Sequence, residues 1–208
     1  MKAISLLMVM LAGLFPNIVL AMDNYDNPRI LRSFRDNNLP PHADILRVKA
    51  RMKPEQGIVF EVKLRNEATK DVPEDTVYAL EITQGETPVI LLASVVKESD
   101  KQSAAWRLTA YQEGGDIKKA IDSGELARKP AEAPYDVRYI DKGIEFLVPL
   151  ERLDFTTPLT YDAYTLNRTF LDEDRISGKL LDHANKGRKS RKTMSPIMLF
   201  NTLCISRG

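Results

Sequence analysis

Few residues in this chain have types and spacing suited to catalysis, and the clearest candidates are carboxylates. Asp172, Glu173 and Asp174 stand together just after a long alternating stretch. A pair of carboxylates held at the right separation there would cleave a glycosidic bond. The same oxygens could instead hold calcium, the one cofactor the sequence suggests. Asp172 and Asp174 nevertheless lack the third oxygen ligand and the glycine of a standard calcium loop. A solvated acidic turn answering Arg168 and Arg175 is the plainer alternative. His42 and His183 are the only histidines, lie far apart, and read as ordinary loop residues. Ser94, Ser99, Ser103 and Ser195 have no glycine-flanked elbow around them, and no phosphate loop, dinucleotide fingerprint or zinc spacing is present. No catalytic residue is therefore assigned.

Residues suited to binding are more numerous. Trp106, Tyr111, Tyr161 and Tyr164 fall on stretches that read as strands, where planar rings on a sheet face or rim can stack on sugars. The alternative for Trp106 and Tyr161 is a place in the core. Cations gather in two places. Lys186-Gly187-Arg188-Lys189-Ser190-Arg191-Lys192 is the densest run, and it reads as part of a basic loop over residues 183–194. Arg47, Lys49, Arg51 and Lys63 belong to the second group. Together, Arg47, Lys49, Arg51, Lys63, Arg188, Lys189, Arg191 and Lys192 would give a cationic footprint for an acidic polysaccharide, a lipopolysaccharide phosphate or an anionic membrane surface. No aromatic residue interleaves with the run, which argues against stacking on bases, and no nucleic-acid partner is expected.

These side chains need strands to position them. Leu46, Val48, Ala50 and Met52 alternate with Arg47, Lys49, Arg51 and Lys53. Beyond Pro54-Glu55-Gln56-Gly57, Phe60, Val62 and Leu64 alternate with Glu61, Lys63 and Arg65. Period two on both sides of a Pro/Gly turn predicts an antiparallel hairpin with one apolar face and one basic face, Glu61 being the hairpin's lone outward acid. Further strands are expected at 76–83, 88–96, 104–112, 137–140, 144–150, 159–170 and 197–205. The continuous apolar run of 88–96 implies cover on both sides. Residues 113–134 read as an inserted loop and helix. Asn27 and Pro28 read as the start of a short helix carrying Ile30, Leu31 and Phe34, within an extension spanning 22–43. No internal repeat is evident. The expected fold is all-β: a single antiparallel β-sandwich over 44–208, jelly-roll or immunoglobulin-like, with short helical insertions.

Residues 1–21 read as an export signal, with Lys2, an apolar run from Ile4 to Phe15, and Ala21 at the cleavage point. No transmembrane segment is expected after cleavage, and the destination is the periplasm or the exterior. The whole chain has 208 residues, 43% hydrophobic and 28% charged, with 30 basic against 29 acidic groups. Any electrostatic function must therefore come from local segregation of charge. Cys204 is the single cysteine, so stability rests on packing without an internal disulfide.

Tyr135-Asp136-Val137-Arg138-Tyr139-Ile140-Asp141-Lys142-Gly143-Ile144-Glu145-Phe146-Leu147-Val148-Pro149-Leu150, a hairpin whose glycine-led second strand ends in an aliphatic-Pro-Leu step, resembles a strand pair of secreted DOMON-like and carbohydrate-binding sandwich modules. Leu153 and Tyr161-Asp162-Ala163-Tyr164 also fit. The resemblance implies a sandwich that binds sugar or haem. Haem would need axial Met and His ligands, and nothing singles out Met52, Met194, His42 or His183 for that role. The sequence thus points to an exported, non-catalytic binding protein of a bacterial-type cell envelope or the extracellular space, taking a glycan or an anionic surface. Two alternatives stay open: a carboxylate-dependent glycan hydrolase, and an envelope assembly or secretion-system component that pairs with a protein partner through a strand edge.

Overall fold

The computed structural model describes residues 27–65, 72–73, 75–97, 104–112, 126–127, 135–141, 143–170, 175–186 and 193–199. The strands among them form two antiparallel sheets. Sheet A runs, edge to edge, β1 (Ile30–Arg32), β2 (Ile45–Lys53), β3 (Gly57–Leu64), β9 (Gly143–Pro149) and β8 (Asp136–Ile140). Sheet B runs β6 (Ala104–Gln112), β5 (Thr87–Lys97), β4 (Thr76–Gln84), β10 (Leu159–Phe170), β11 (Arg175–His183) and β7 (Leu126–Ala127), with β12 (Thr193–Met194) paired to the start of β10. Among the described residues no helix is long and apolar enough to cross a membrane.

Period-two patterning explains why the sheets meet. Val48, Ala50, Ile58, Phe60, Val62, Ile144, Phe146 and Val148 point inward from sheet A and are buried against Tyr78, Leu80, Ile82, Leu91, Ala93, Tyr161 and Ala163 of sheet B. Each large aliphatic or aromatic side chain removed from water in this way contributes roughly 1.5–3 kcal/mol. The Phe60 and Tyr161 rings meet across the sheets, centroids 5.2 Å apart and tilted by 60°. Leu91 and Ala93 of β5 enter this core, whereas Ile90 and Leu92 join Val77, Ala79, Tyr164 and Leu166 in a second cluster on the far side of sheet B. The continuous apolar run thus belongs to a strand covered twice, as expected.

Four expectations change. Ile30–Arg32 is a strand, not a helix: Asn27 turns the chain by accepting from Arg29 N (3.0 Å), and pairing with β2 gives the segment's backbone more partners than one isolated helical turn could. The sheets accordingly begin before residue 44. A bulge between Ile45 and Arg47 turns Ile45 inward in place of Leu46. Residues 197–199 form a helical turn where a last strand was expected; 200–205 lie outside the described residues. Strand β11 has no clear pattern in the sequence, since Ser177-Gly178 and a bulge interrupt its alternation. Of the expected insertion over 113–134, the described part is β7, paired with β11; the expected helix lies outside the described residues.

The register also exposes an internal repeat. Gly57-Ile58-Val59-Phe60-Glu61-Val62-Lys63-Leu64 and Gly143-Ile144-Glu145-Phe146-Leu147-Val148-Pro149-Leu150 share Gly, Ile, Phe, Val and Leu at equivalent positions. They pair about a local two-fold axis, with Phe60 opposite Phe146 and each glycine opposite the seventh residue of the other copy. The exchange recurs in sheet B, where β4 and β10 pair about Leu80 and Ala163. Tyr78 and Tyr161 are equivalent there. Each buries its ring and donates its hydroxyl to a backbone carbonyl, that of His42 and that of Pro28, both at 2.9 Å. Burial, with a smaller effect of nearby Tyr139, pushes the Tyr78 phenol well above its usual range.

Candidate functional site

Strand register lays the outward side chains of sheet A in rows. In the first, Arg32 faces Arg47, Arg47 faces Lys63, Lys63 faces Gly143, and Gly143 faces Ile140. In the second, Ile30, Lys49, Glu61, Glu145 and Arg138 follow one another. The third holds Arg51, Val59, Leu147 and Asp136. Lys53 stands opposite Gly57 in the fourth. Seven cations thus share a face with three carboxylates. Directly opposed like charges destabilise a sheet, and the first row sets three cations side by side.

Two ion-pair groups hold part of this charge. Arg47 Nη2 donates to Glu61 Oε1 at 2.8 Å. Arg51 Nη2 donates to Glu145 Oε1 at 2.6 Å, and Arg138 takes the other oxygen of the same carboxylate. Glu145 is almost fully buried beneath these guanidinium groups. Burial alone would raise its carboxyl, but the hydrogen bonds from Arg51 and Arg138 outweigh that and hold it below the ordinary value. Lys49, Lys53 and Lys63 have no ion-pair partner among the described residues.

Among the described residues, three hollows open on this sheet. The one over Gly143 has a volume of about 570 Å³ and is lined by Arg47, Glu61, Lys63, Tyr139, Ile140 and Asp141. A Cβ on Gly143 would sit 1.8 Å from the Val62 carbonyl oxygen, so the bare floor follows from the close approach of two strands. The related hollow near Gly57, between Lys53, Gln56, Arg138 and Glu145, holds only about 70 Å³. A third, about 350 Å³, lies at the β1 edge, with Arg29, Lys49 and Arg51 above the core side chains of Met52 and Leu199.

The structure brings Arg47, Lys49, Arg51 and Lys63 together as the sequence implies, but it adds Glu145 and Arg138, which no reading of the hairpin alone could supply. Tyr161 and Tyr164 are each 4% exposed, so neither ring can stack on a ligand from solvent. Tyr161 belongs to the core. Tyr164 lies in the second apolar cluster, donates to Glu81 Oε2 (2.6 Å) and stacks on His183. Trp106 and Tyr111 lie on β6, and their side chains are outside those described. Asp172, Asp174, Arg188, Lys189, Arg191 and Lys192 also lie outside the described residues, as do Cys204 and residues 1–21, expected to be an export signal. Among the described residues no group of three His, Cys, Asp or Glu is arranged to hold a metal.

A second polar constellation closes one end of the sandwich and escapes sequence reasoning. His183 is the last residue of β11 rather than a loop residue, with Nδ1 3.6 Å from Asp162 Oδ2. Asp162 Oδ1 accepts from the backbone N–H groups of Ala163 (2.8 Å) and Asn185 (3.0 Å). Asp182 accepts from Ile45 N (2.8 Å), His183 N (2.9 Å) and Lys186 Nζ (2.9 Å); burial still pushes its carboxyl up. Fully buried Asp44 pairs with Arg65 and Lys186. The hydrogen bond from Ile45 N to Asp182 and the contacts of Lys186 with Asp44 and Asp182 clamp β2 to β11, although Asp44 Oδ2 itself accepts no hydrogen bond among the described residues. No family model, no curated protein and no solved structure matches the chain.

Proposed function

We propose that this chain is an exported, non-catalytic binding protein of a cell envelope, and that the outer face of sheet A engages an anionic glycan. The observation that supports this most is the row of Arg32, Arg47 and Lys63, together with Lys49 and Lys53, on a chain whose total charge nearly balances. Lining up cations across three strands costs stability that an anionic ligand would return on binding. Glu61 and Glu145 offset part of that cost and orient the guanidinium groups, leaving the lysines as the adjustable charges. A flat sheet face also suits a polymer better than an enclosed metabolite. Export is supported by the charge and apolar pattern of Met1 to Ala21.

Titration of the protein with polygalacturonate tests the reading. Binding should be measurable at about 0.1 M salt and vanish toward about 1 M, where screening shortens from about 10 Å to about 3 Å. K49E together with K63E should abolish it at low salt. Affinity that ignores both salt and these substitutions would exclude the face.

A further inference from the structure

The geometry points to the hollow over Gly143 as the subsite for a single uronic acid unit, a sugar ring bearing one carboxylate. This rests on the anionic-glycan reading above and narrows it. Lys63 and Arg47 form one wall and Ile140 stands opposite, across the bare backbone of Gly143. Glu61 and the exposed Asp141 complete the rim, while the Tyr139 side chain packs against the core. The hollow is shallow and open to solvent, about 570 Å³, so a ring would lie on the sheet rather than be enclosed by it.

Charge count selects the ligand. Two cations and two carboxylates surround the hollow. Inorganic sulfate offers only acceptor oxygens, which suit Lys63 and Arg47 but oppose Glu61 and Asp141. A uronic acid suits this mixed lining: its carboxylate takes the Lys63 ammonium, its hydroxyls donate to the two carboxylates, and Arg47 keeps its pairing with Glu61. Glu61 spends Oε1 on Arg47, and Oε2 has no hydrogen-bond partner among the described residues. That pair also fixes the Arg47 guanidinium before any ligand arrives, which lowers the ordering cost of binding. Ile140 gives the C–H face of the ring an apolar surface. The hollow near Gly57 is an internal control, since Lys53 stands at its edge but the space is too small for a ring.

The full chain should be titrated calorimetrically with trigalacturonate, with its fully methyl-esterified form and with inorganic sulfate. Trigalacturonate should bind, and the ester should bind about tenfold more weakly for want of one charge-assisted hydrogen bond. K63M should cost about the same factor, and I140S about threefold. K53M should change affinity by less than about twofold, and sulfate should not displace the trimer. Equal losses for K53M and K63M would show charge spread over the whole face; the subsite would fall while the broader reading survived. Displacement by sulfate would overturn the choice of a uronic acid. Absence of binding to trigalacturonate and polygalacturonate alike would remove both.

Discussion

Over Gly57 and over Gly143 the backbone of sheet A makes the same move, two strands closing until a carbonyl occupies the place of a side chain. A Cβ would lie 2.0 Å from the Val148 oxygen at the first and 1.8 Å from the Val62 oxygen at the second, and both residues hold positive φ, +153° and +159°. The local two-fold axis exchanges the two sites. Yet one carries Lys63 and Arg47 above an open floor, and the other a narrow slot between Lys53 and Arg138. The glycine is thus demanded by packing and says nothing about a ligand. What differs is the wall, and the walls are where recognition should be sought.

The axis can be broken directly. Gly143→Ala and Gly57→Ala should each destabilise by roughly 3–5 kcal/mol, measured as urea midpoints, because a clash with backbone adds to φ strain. Tolerance at one site alone would mean that the two strands are not equivalent. Phe60→Ala and Phe146→Ala, paired on the axis, should each cost about 3 kcal/mol and combine non-additively, since they share one cavity. Additive losses would place them in separate pockets.

The two glutamates sharpen the same contrast. R51M with R138M strands a buried carboxylate and should cost about 2–3 kcal/mol at pH 7, whereas R47M beside the half-buried Glu61 should cost less than about 1 kcal/mol. Glu145 titrates below its ordinary 4.5 in the folded state. Its charged form therefore stabilises the fold above pH 4.5, and that contribution fades as pH falls through the lower folded value. E145Q should remove this part of the acid limb in urea titrations; wild-type and variant curves that diverge only above pH 6 would contradict it. The smallest effect is expected in the β2–β3 turn. Glu55 holds φ +62° where glycine is favoured, so E55G should stabilise by about 0.5–1 kcal/mol. A loss on that substitution would show that the Glu55 side chain matters more than its backbone.

What could be read in advance was local. Arg47 to Lys63 declare their hairpin because each strand records its own inside and outside residue by residue, and the runs at 76–83 and 104–112 do likewise, whereas the unbroken run at 88–96 declares a strand covered on both faces. The face itself was only half legible. Glu145 and Arg138 reach it through pairings between segments some eighty residues apart, and no periodicity within one strand reports its neighbour. The same limit hid the repeat: β2 has nine residues and β8 five, so the flanks of the shared Gly-Ile-Phe-Val-Leu pattern diverge. Tyr161 and Tyr164 misled because an aromatic on an alternating strand looks the same whether its outer side meets solvent or a second apolar cluster.

The interleaving of the two copies constrains how the chain can be made. Strand β3 gains its second neighbour only when β9 arrives, and β4 only when β10 does. Until residues 143–167 have emerged, a nascent chain would hold two apolar ribbons with open hydrogen-bonding borders, and the clasp from Asp182 to Ile45 would come later still. The local hairpins β2–β3 and β4–β5–β6 can pair early, but neither sheet is complete until β9 and β10 join them. Closure of both sheets thus waits on residues from the second half of the described chain.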